Sequence, residues 1–164
     1  MTPLERNRVA INFTVNEGDS SKIRQISIIG AKAFSESQLR KLFVLREPGL
    51  LTWYSKQDQY SRQKLTADLE TLRSFYQDRG YLEFNVDSTQ VSITPDKKDI
   101  YITVSITEGE KYTVSDIKFD GQMLLPEAEL RKLLTFKPGD VFSRVRLTES
   151  TKKIPDRLGN DGYA

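Results

Sequence analysis

Residues 23–42 read IRQISIIGAKAFSESQLRKL, and residues 114–133 read VSDIKFDGQMLLPEAELRKL, 91 positions later. Gly30 answers to Gly121, and Leu39-Arg40-Lys41-Leu42 to Leu130-Arg131-Lys132-Leu133. Ile23, Ile26 and Ile28 answer to Val114, Ile117 and Phe119. Working outward at the same offset, Glu17-Gly18 recurs as Glu108-Gly109, and Phe13 and Val15 as Val104 and Ile106. So many features in one register are the signature of a duplicated unit. Gly80-Tyr81 then recurs as Gly162-Tyr163 after only 82 positions, so the first copy carries nine additional residues, around Pro48 to Asp58. The expected division is a C-terminal strand of a preceding unit (1–18), one whole unit (19–109) and an incomplete one (110–164). Such a chain reads as a piece of a longer tandem array.

Within the whole unit, Ile23 to Ile29 predicts a strand, with Ile26 and Ile28 on one face. Gly30 ends it, and Phe34-Ser35 opens a short helix. Ser35 as N-cap with Gln38 three residues on forms a capping box, and Phe34 and Leu39 stand where a hydrophobic staple would place them. Leu65, Leu69, Leu72 and Tyr76 then make one apolar stripe on a helix from about Ser61 to Arg79, closed by Gly80. In the second copy Pro155 falls inside the matching helix and is expected to kink or break it near Ile154.

Leu82, Phe84 and Val86 alternate on even positions and Val91 and Ile93 on odd ones. That parity switch predicts a β-bulge near Asp87-Ser88; two short strands with a break would also satisfy it. Pro95-Asp96-Lys97-Lys98 is a turn, and Ile100, Ile102, Val104 and Ile106 form the last strand. The fold class is α+β: tandem β-α-α-β-β units, two helices packed on a three-stranded mixed sheet.

Composition bounds the function. The 164 residues carry 25 Lys and Arg against 23 Asp and Glu, a net charge of +2. The charges are spread evenly, so no segment makes a nucleic-acid footprint. With no His and no Cys, Ser-His and Cys-His nucleophile pairs, thiolate or imidazole zinc sites and disulfides are excluded. No phosphate-binding glycine loop is present. The reading is therefore not an enzyme and without a cofactor.

A β-α-α-β-β repeat with glycine after its first strand, Gly-Tyr after its second helix and Glu-Gly at the join resembles the POTRA domains of outer-membrane barrel-assembly proteins. The stretches Leu69 to Asp87, LETLRSFYQDRGYLEFNVD, and Ser88 to Lys98, STQVSITPDKK, carry the resemblance most strongly. It implies the end of a second, the whole of a third and part of a fourth POTRA domain, at the periplasmic face of the outer membrane of a Gram-negative bacterium. It also implies a parent protein with a C-terminal membrane barrel. The partners it implies are a BamB-like lipoprotein, other assembly-complex subunits and unfolded outer-membrane proteins, with no nucleic acid.

In this family the second strand of the unit lies at the sheet edge, where an extended chain can add by main-chain pairing. The residues expected to bind clients there are Glu83, Phe84, Asn85, Val86, Asp87, Ser88 and Gln90, with Asn85 and Gln90 as positions where proline would block donors. Leu45 and Arg46, with Pro95 and Asp96, are expected to dock the lipoprotein. Gly18 and Gly109 are expected hinges. Leu50, Leu51, Trp53 and Tyr54 either fold back over the core or form a binding patch. The alternative function is the POTRA region of a dedicated two-partner secretion transporter. A KH-type nucleic-acid module is disfavoured because residues 43–60 contain no GxxG.

Overall fold

The computed structural model describes residues 21–49, 58–121, 123–160 and 162, together with the backbone of residues 2–4 and 8–10. The elements in chain order are β1 (Thr2–Leu4), β2 (Arg8–Ala10), β3 (Lys22–Ile29), α1 (Glu36–Arg40), α2 (Arg62–Gln77), β4 (Asn85–Ile93), β5 (Asp99–Thr107), α3 (Glu127–Leu133) and α4 (Arg144–Asn160). β1 and β2 form a small antiparallel hairpin. The stretch around Phe13 and Val15, and Gly18, lie outside the described residues.

The first copy is the predicted β-α-α-β-β unit. Its sheet has the order β3-β5-β4, with β3 parallel and β4 antiparallel to the central β5. Even-numbered residues of β5 are buried while their odd neighbours are not, as period-two alternation requires of a sheet covered on one face. Ile100, Ile102, Val104 and Ile106 pack with Ile23, Ile26 and Ile28 under Leu39, Leu65, Leu72 and Tyr76. Each such side chain contributes about 2 kcal/mol of apolar transfer. Tyr76 stacks on Phe84 with ring centroids 4.3 Å apart.

Local signals explain the ends of the helices. Ser35 forms both halves of the capping box with Gln38. Ser61 caps α2. At the other end Gly80 adopts φ +96°, and Tyr81 N–H donates back to the Tyr76 carbonyl at 3.1 Å, the closure a left-handed glycine permits.

The second copy has its two helices, but residues 114–119, expected as a strand, form no ladder among the described residues. Only a bridge from Thr113 to Val141 is made. A strand is defined by its partner, and no counterpart of β5 lies beside this one among the described residues. A second correction concerns Pro155: α4 runs unbroken through it. Proline leaves the Thr151 carbonyl without its helical donor, but both residues are exposed, so water can serve that carbonyl.

Candidate functional site

β4 is one edge of the three-stranded sheet. Its register against β5 shifts between Val86 and Ser88, so the bulge read from side-chain parity is present, with Asp87 as the additional residue. The Asp87 carboxylate accepts from Asn85 Nδ2 at 2.9 Å and from Thr107 Oγ1 at 2.7 Å, fastening the bulge to β5. Beyond it, Thr89 faces Val104, Val91 faces Ile102 and Ile93 faces Ile100. Opposed residues share a sheet face, so these three lie on the helix side. They are nevertheless exposed, Ile93 by 55%, because the helices do not cover this end of the edge strand. The result is an apolar shelf beside an open main-chain edge.

The direction of each donor follows from one bond. Thr94 N–H donates to the Asp99 carbonyl at 3.0 Å, so it points toward β5. Amides alternate in direction along an antiparallel strand, so those of Thr89, Val91 and Ile93 point outward and those of Gln90 and Ser92 point inward. Proline at Gln90 would therefore break the internal ladder, which corrects its expected use as an edge probe.

Of the other predicted edge residues, Asn85, Ser88 and Gln90 are exposed and Val86 is half-buried. Phe84 is core, 4% exposed. Glu83 precedes the strand and accepts a bond from the Tyr112 hydroxyl at 3.0 Å. The expected exposed edge, residues 83–92, takes in Val91 but not Ile93, and neither is given a part in binding. The parity switch alone could have found them, since it sets both on the covered side of a strand at the uncovered margin.

The expected docking residues separate. Leu45 is 1% exposed and belongs to the core, so its side chain cannot meet a partner; Val44 and Arg46 flank it on the outside. The backbone there is pinned by Asp68, whose buried carboxylate accepts from Val44 N–H at 2.7 Å and Leu45 N–H at 3.0 Å. The turn holding Pro95 and Asp96 is bound to the start of β3, where Lys22 N–H donates to the Lys98 carbonyl. Among the described residues no hydrogen bond or ion pair joins it to Arg46. Within the turn, Asp96 accepts from the Thr94 hydroxyl at 2.5 Å, which with the Lys98 N–H holds its carboxyl below the usual carboxylate range. Leu50, Leu51, Trp53 and Tyr54 lie outside the described residues.

The join is closely bonded. Glu108 Oε1 accepts from the Tyr76 hydroxyl at 2.7 Å and from Lys32 N–H at 2.9 Å. Burial, then the bond to Glu108, push the Tyr76 hydroxyl far above its ordinary pKa. Gly109 takes φ +73° with the Glu83 Cβ only 2.8 Å from where its own would stand. Across the join, Tyr112 N–H donates to the Gly80 carbonyl at 2.9 Å, Arg144 Nη1 to Gln77 Oε1 at 2.7 Å and Val145 N–H to Asp78 Oδ1 at 3.0 Å.

Among the described residues no cluster of acidic side chains could hold a metal ion, and no helix is long and apolar enough to cross a membrane. Residues 21–109 and 112–164 each match the POTRA family, described as a surface antigen variable number repeat. The chain belongs to the POTRA family.

Its relatives include the outer membrane protein assembly factor BamA of Neisseria meningitidis serogroup B. The two are 36% identical over 165 residues, spanning 100% of this chain and 21% of the relative. BamA of Buchnera aphidicola is 32% identical over 161 residues, 97% of this chain and 26% of that one. The chain thus spans about a fifth to a quarter of the length of these relatives. The crystal structure of Haemophilus influenzae BamA POTRA3-5 superposes with a TM-score of 0.70 over 90% of this chain and 58% of that one, at 21% identity. The structure of Haemophilus ducreyi BamA lacking POTRA domains 1-3 gives 0.64 over 82% and 24%, at 19% identity. Both superpositions support the two-helix, three-stranded POTRA fold.

Proposed function

We propose that this chain is the non-enzymatic docking region of an outer-membrane protein assembly factor, and that β4 receives extended segments of unfolded barrel precursors as an added strand. Residues 1–18, 19–109 and 110–164 are then the end of one POTRA domain, one whole domain and part of the next, facing the periplasm. The observation that carries the reading is the open β4 edge: three outward amides, at Thr89, Val91 and Ile93, beside a bulge and an apolar shelf. Main-chain pairing tolerates many sequences, and the shelf favours a strand with apolar residues on alternate positions. That is the pattern of a transmembrane barrel strand. The accessory lipoprotein is assigned to the surface of Val44 and Arg46, with Leu45 and Asp68 holding that surface from beneath. Pro95 and Asp96 form a separate candidate contact, and Gly18 and Gly109 remain the candidate hinges.

Thr89→Pro in the full-length protein removes one outward donor and leaves the ladder to β5 intact. A photoreactive side chain at Gln90 should crosslink unfolded barrel precursors in the parent and about fivefold less in Thr89→Pro, the loss expected for one net hydrogen bond. Crosslinking that is absent from the parent, or unchanged by the proline, would refute the edge assignment.

A further inference from the structure

The sheet has two edges, and they are treated differently. The outward amides of β3 are all engaged by its own chain. Ile23 N–H donates to the Asp58 carbonyl at 2.7 Å, Ile26 N–H to Glu47 Oε1 at 3.0 Å, and Ile28 N–H to Glu36 Oε1 at 3.1 Å. Arg40 Nη1 holds Glu47 at 2.9 Å and reaches the Ile26 carbonyl at 3.5 Å. Two carboxylates and a guanidinium thus stand where the carbonyls and amides of a neighbouring strand would be. Among the described residues nothing similar covers β4.

The second copy shows that the fold does not require this arrangement. There Arg131 Nη2 reaches the Ile117 carbonyl at 3.0 Å, as Arg40 reaches Ile26. Yet Pro138 occupies the position of Glu47. Glu127, the counterpart of Glu36, pairs with Arg131 at 2.6 Å. Ile117 N–H turns to its own neighbour Asp116 at 2.8 Å. Among the described residues, carboxylate bonds to this edge from outside the strand belong to the first copy alone.

We propose that Glu36, together with Glu47 oriented by Arg40, acts as a built-in plug that closes the β3 edge and confines strand addition to β4. An unplugged β3 would offer a second edge, parallel to β5, to which a client or a second copy of this chain could add. The plug determines where a strand binds; that β4 is the receiving edge rests on the function proposed above.

The test uses the full-length protein and compares the parent, the double variant Glu36→Ala with Glu47→Ala, and the double variant Glu36→Gln with Glu47→Gln, whose amide oxygens can still accept. Hydrogen exchange at Ile26 and Ile28 should quicken roughly tenfold or more in the alanine variant and far less in the glutamine variant, since the bonds to these amides are lost in the first and only weakened to neutral ones in the second. A photoreactive side chain at Arg24 should crosslink precursor peptide or a second copy in the alanine variant and not in the parent. If the alanine pair does not fold, Glu47→Ala alone should expose Ile26 and leave Ile28 protected, with the same gain of crosslinking at Arg24. Crosslinking at Arg24 in the parent, or exposed amides that gain no strand partner, would overturn the plug. A parent that crosslinks from neither edge would defeat the β4 reading while exchange and self-association of the variants still decide the plug.

Discussion

The two copies of the repeat agree in their backbone ties and differ in what those ties enclose. Ile23 N–H bonds the Asp58 carbonyl in the first copy, and Val114 N–H bonds the Asp140 carbonyl in the second. Lys22 bridges Gln59 as Thr113 bridges Val141. Val44 N–H is held by Asp68 of α2, and Thr135 N–H by Ser150 of α4. These pairs fall at the offsets of 91 and 82 read from the sequence. What differs is the sheet. In the first copy β5 fills the place beside β3. In the second, the matching side opens into a groove of about 400 Å³ lined in part by Val114, Ile117, Phe142 and Leu147. Leu65 is 5% exposed while its counterpart Leu147 is 40% exposed. The helix pair and its ties form from local sequence, but burying their apolar face requires a complete sheet.

The largest consequence is in protection against hydrogen exchange. Amides of Gln25, Ser27 and Ile29 sit in the ladder to β5, so their opening should approach global unfolding. Those of residues 115–119 lack a ladder. At protein concentrations where no dimer forms, β3 should exchange on the order of a thousandfold more slowly than residues 115–119. Equal protection would mean that the helices alone stabilise the second copy, and the contrast between the copies would fail.

The sequence carried the architecture because its signals are local or periodic. The stripe Leu65-Leu69-Leu72-Tyr76, the Ser35-Gln38 box and the parity switch at Asp87 each sit within one element, and each reappears in the structure. What was illegible joins distant positions. Glu47 bonds Ile26 from 21 residues away and Asp68 bonds Val44 from 24; neither spacing has a periodic signature. The resemblance alone puts Leu45 at a docking surface, yet with its own amide and that of Val44 held by Asp68 it is buried in the core. Pro155 was read by intrinsic propensity, which the remaining bonds of a long helix override.

The tie from helix to loop sharpens the comparison at intermediate size. Asp68 holds two amides with a carboxylate that is 1% exposed, whereas the Ser150 hydroxyl holds one. Asp68→Ala strands two donors, and a loss of about 3 kcal/mol in the first copy is expected; Ser150→Ala should cost about 1 kcal/mol in the second. Chemical denaturation followed by exchange at Leu45 and Thr135 would read both. A cost for Ser150→Ala as large as that for Asp68→Ala would show that the two ties are equivalent after all.

The smallest expected effect lies at the first helix of each copy. α1 begins at Ser35 with both bonds of the capping box in place, while α3 begins at Pro126 with no side-chain bond to its first amides. Replacing a serine cap by alanine costs about 1 kcal/mol, so Ser35→Ala should lower the stability of the first copy by that amount. The second copy already carries Glu129 at the third helical position, where a box partner belongs. Pro126→Ser would therefore create a full box, but it also frees a backbone that proline restrains in the unfolded chain, a term of opposite sign worth about 0.5 kcal/mol. The net gain should be about 0.5 kcal/mol, read as slower exchange at the amides of Glu129 and Leu130. If Pro126→Ser speeds exchange there instead, the rigid proline outweighs the missing cap, and the uncapped start is not the weaker solution at that position.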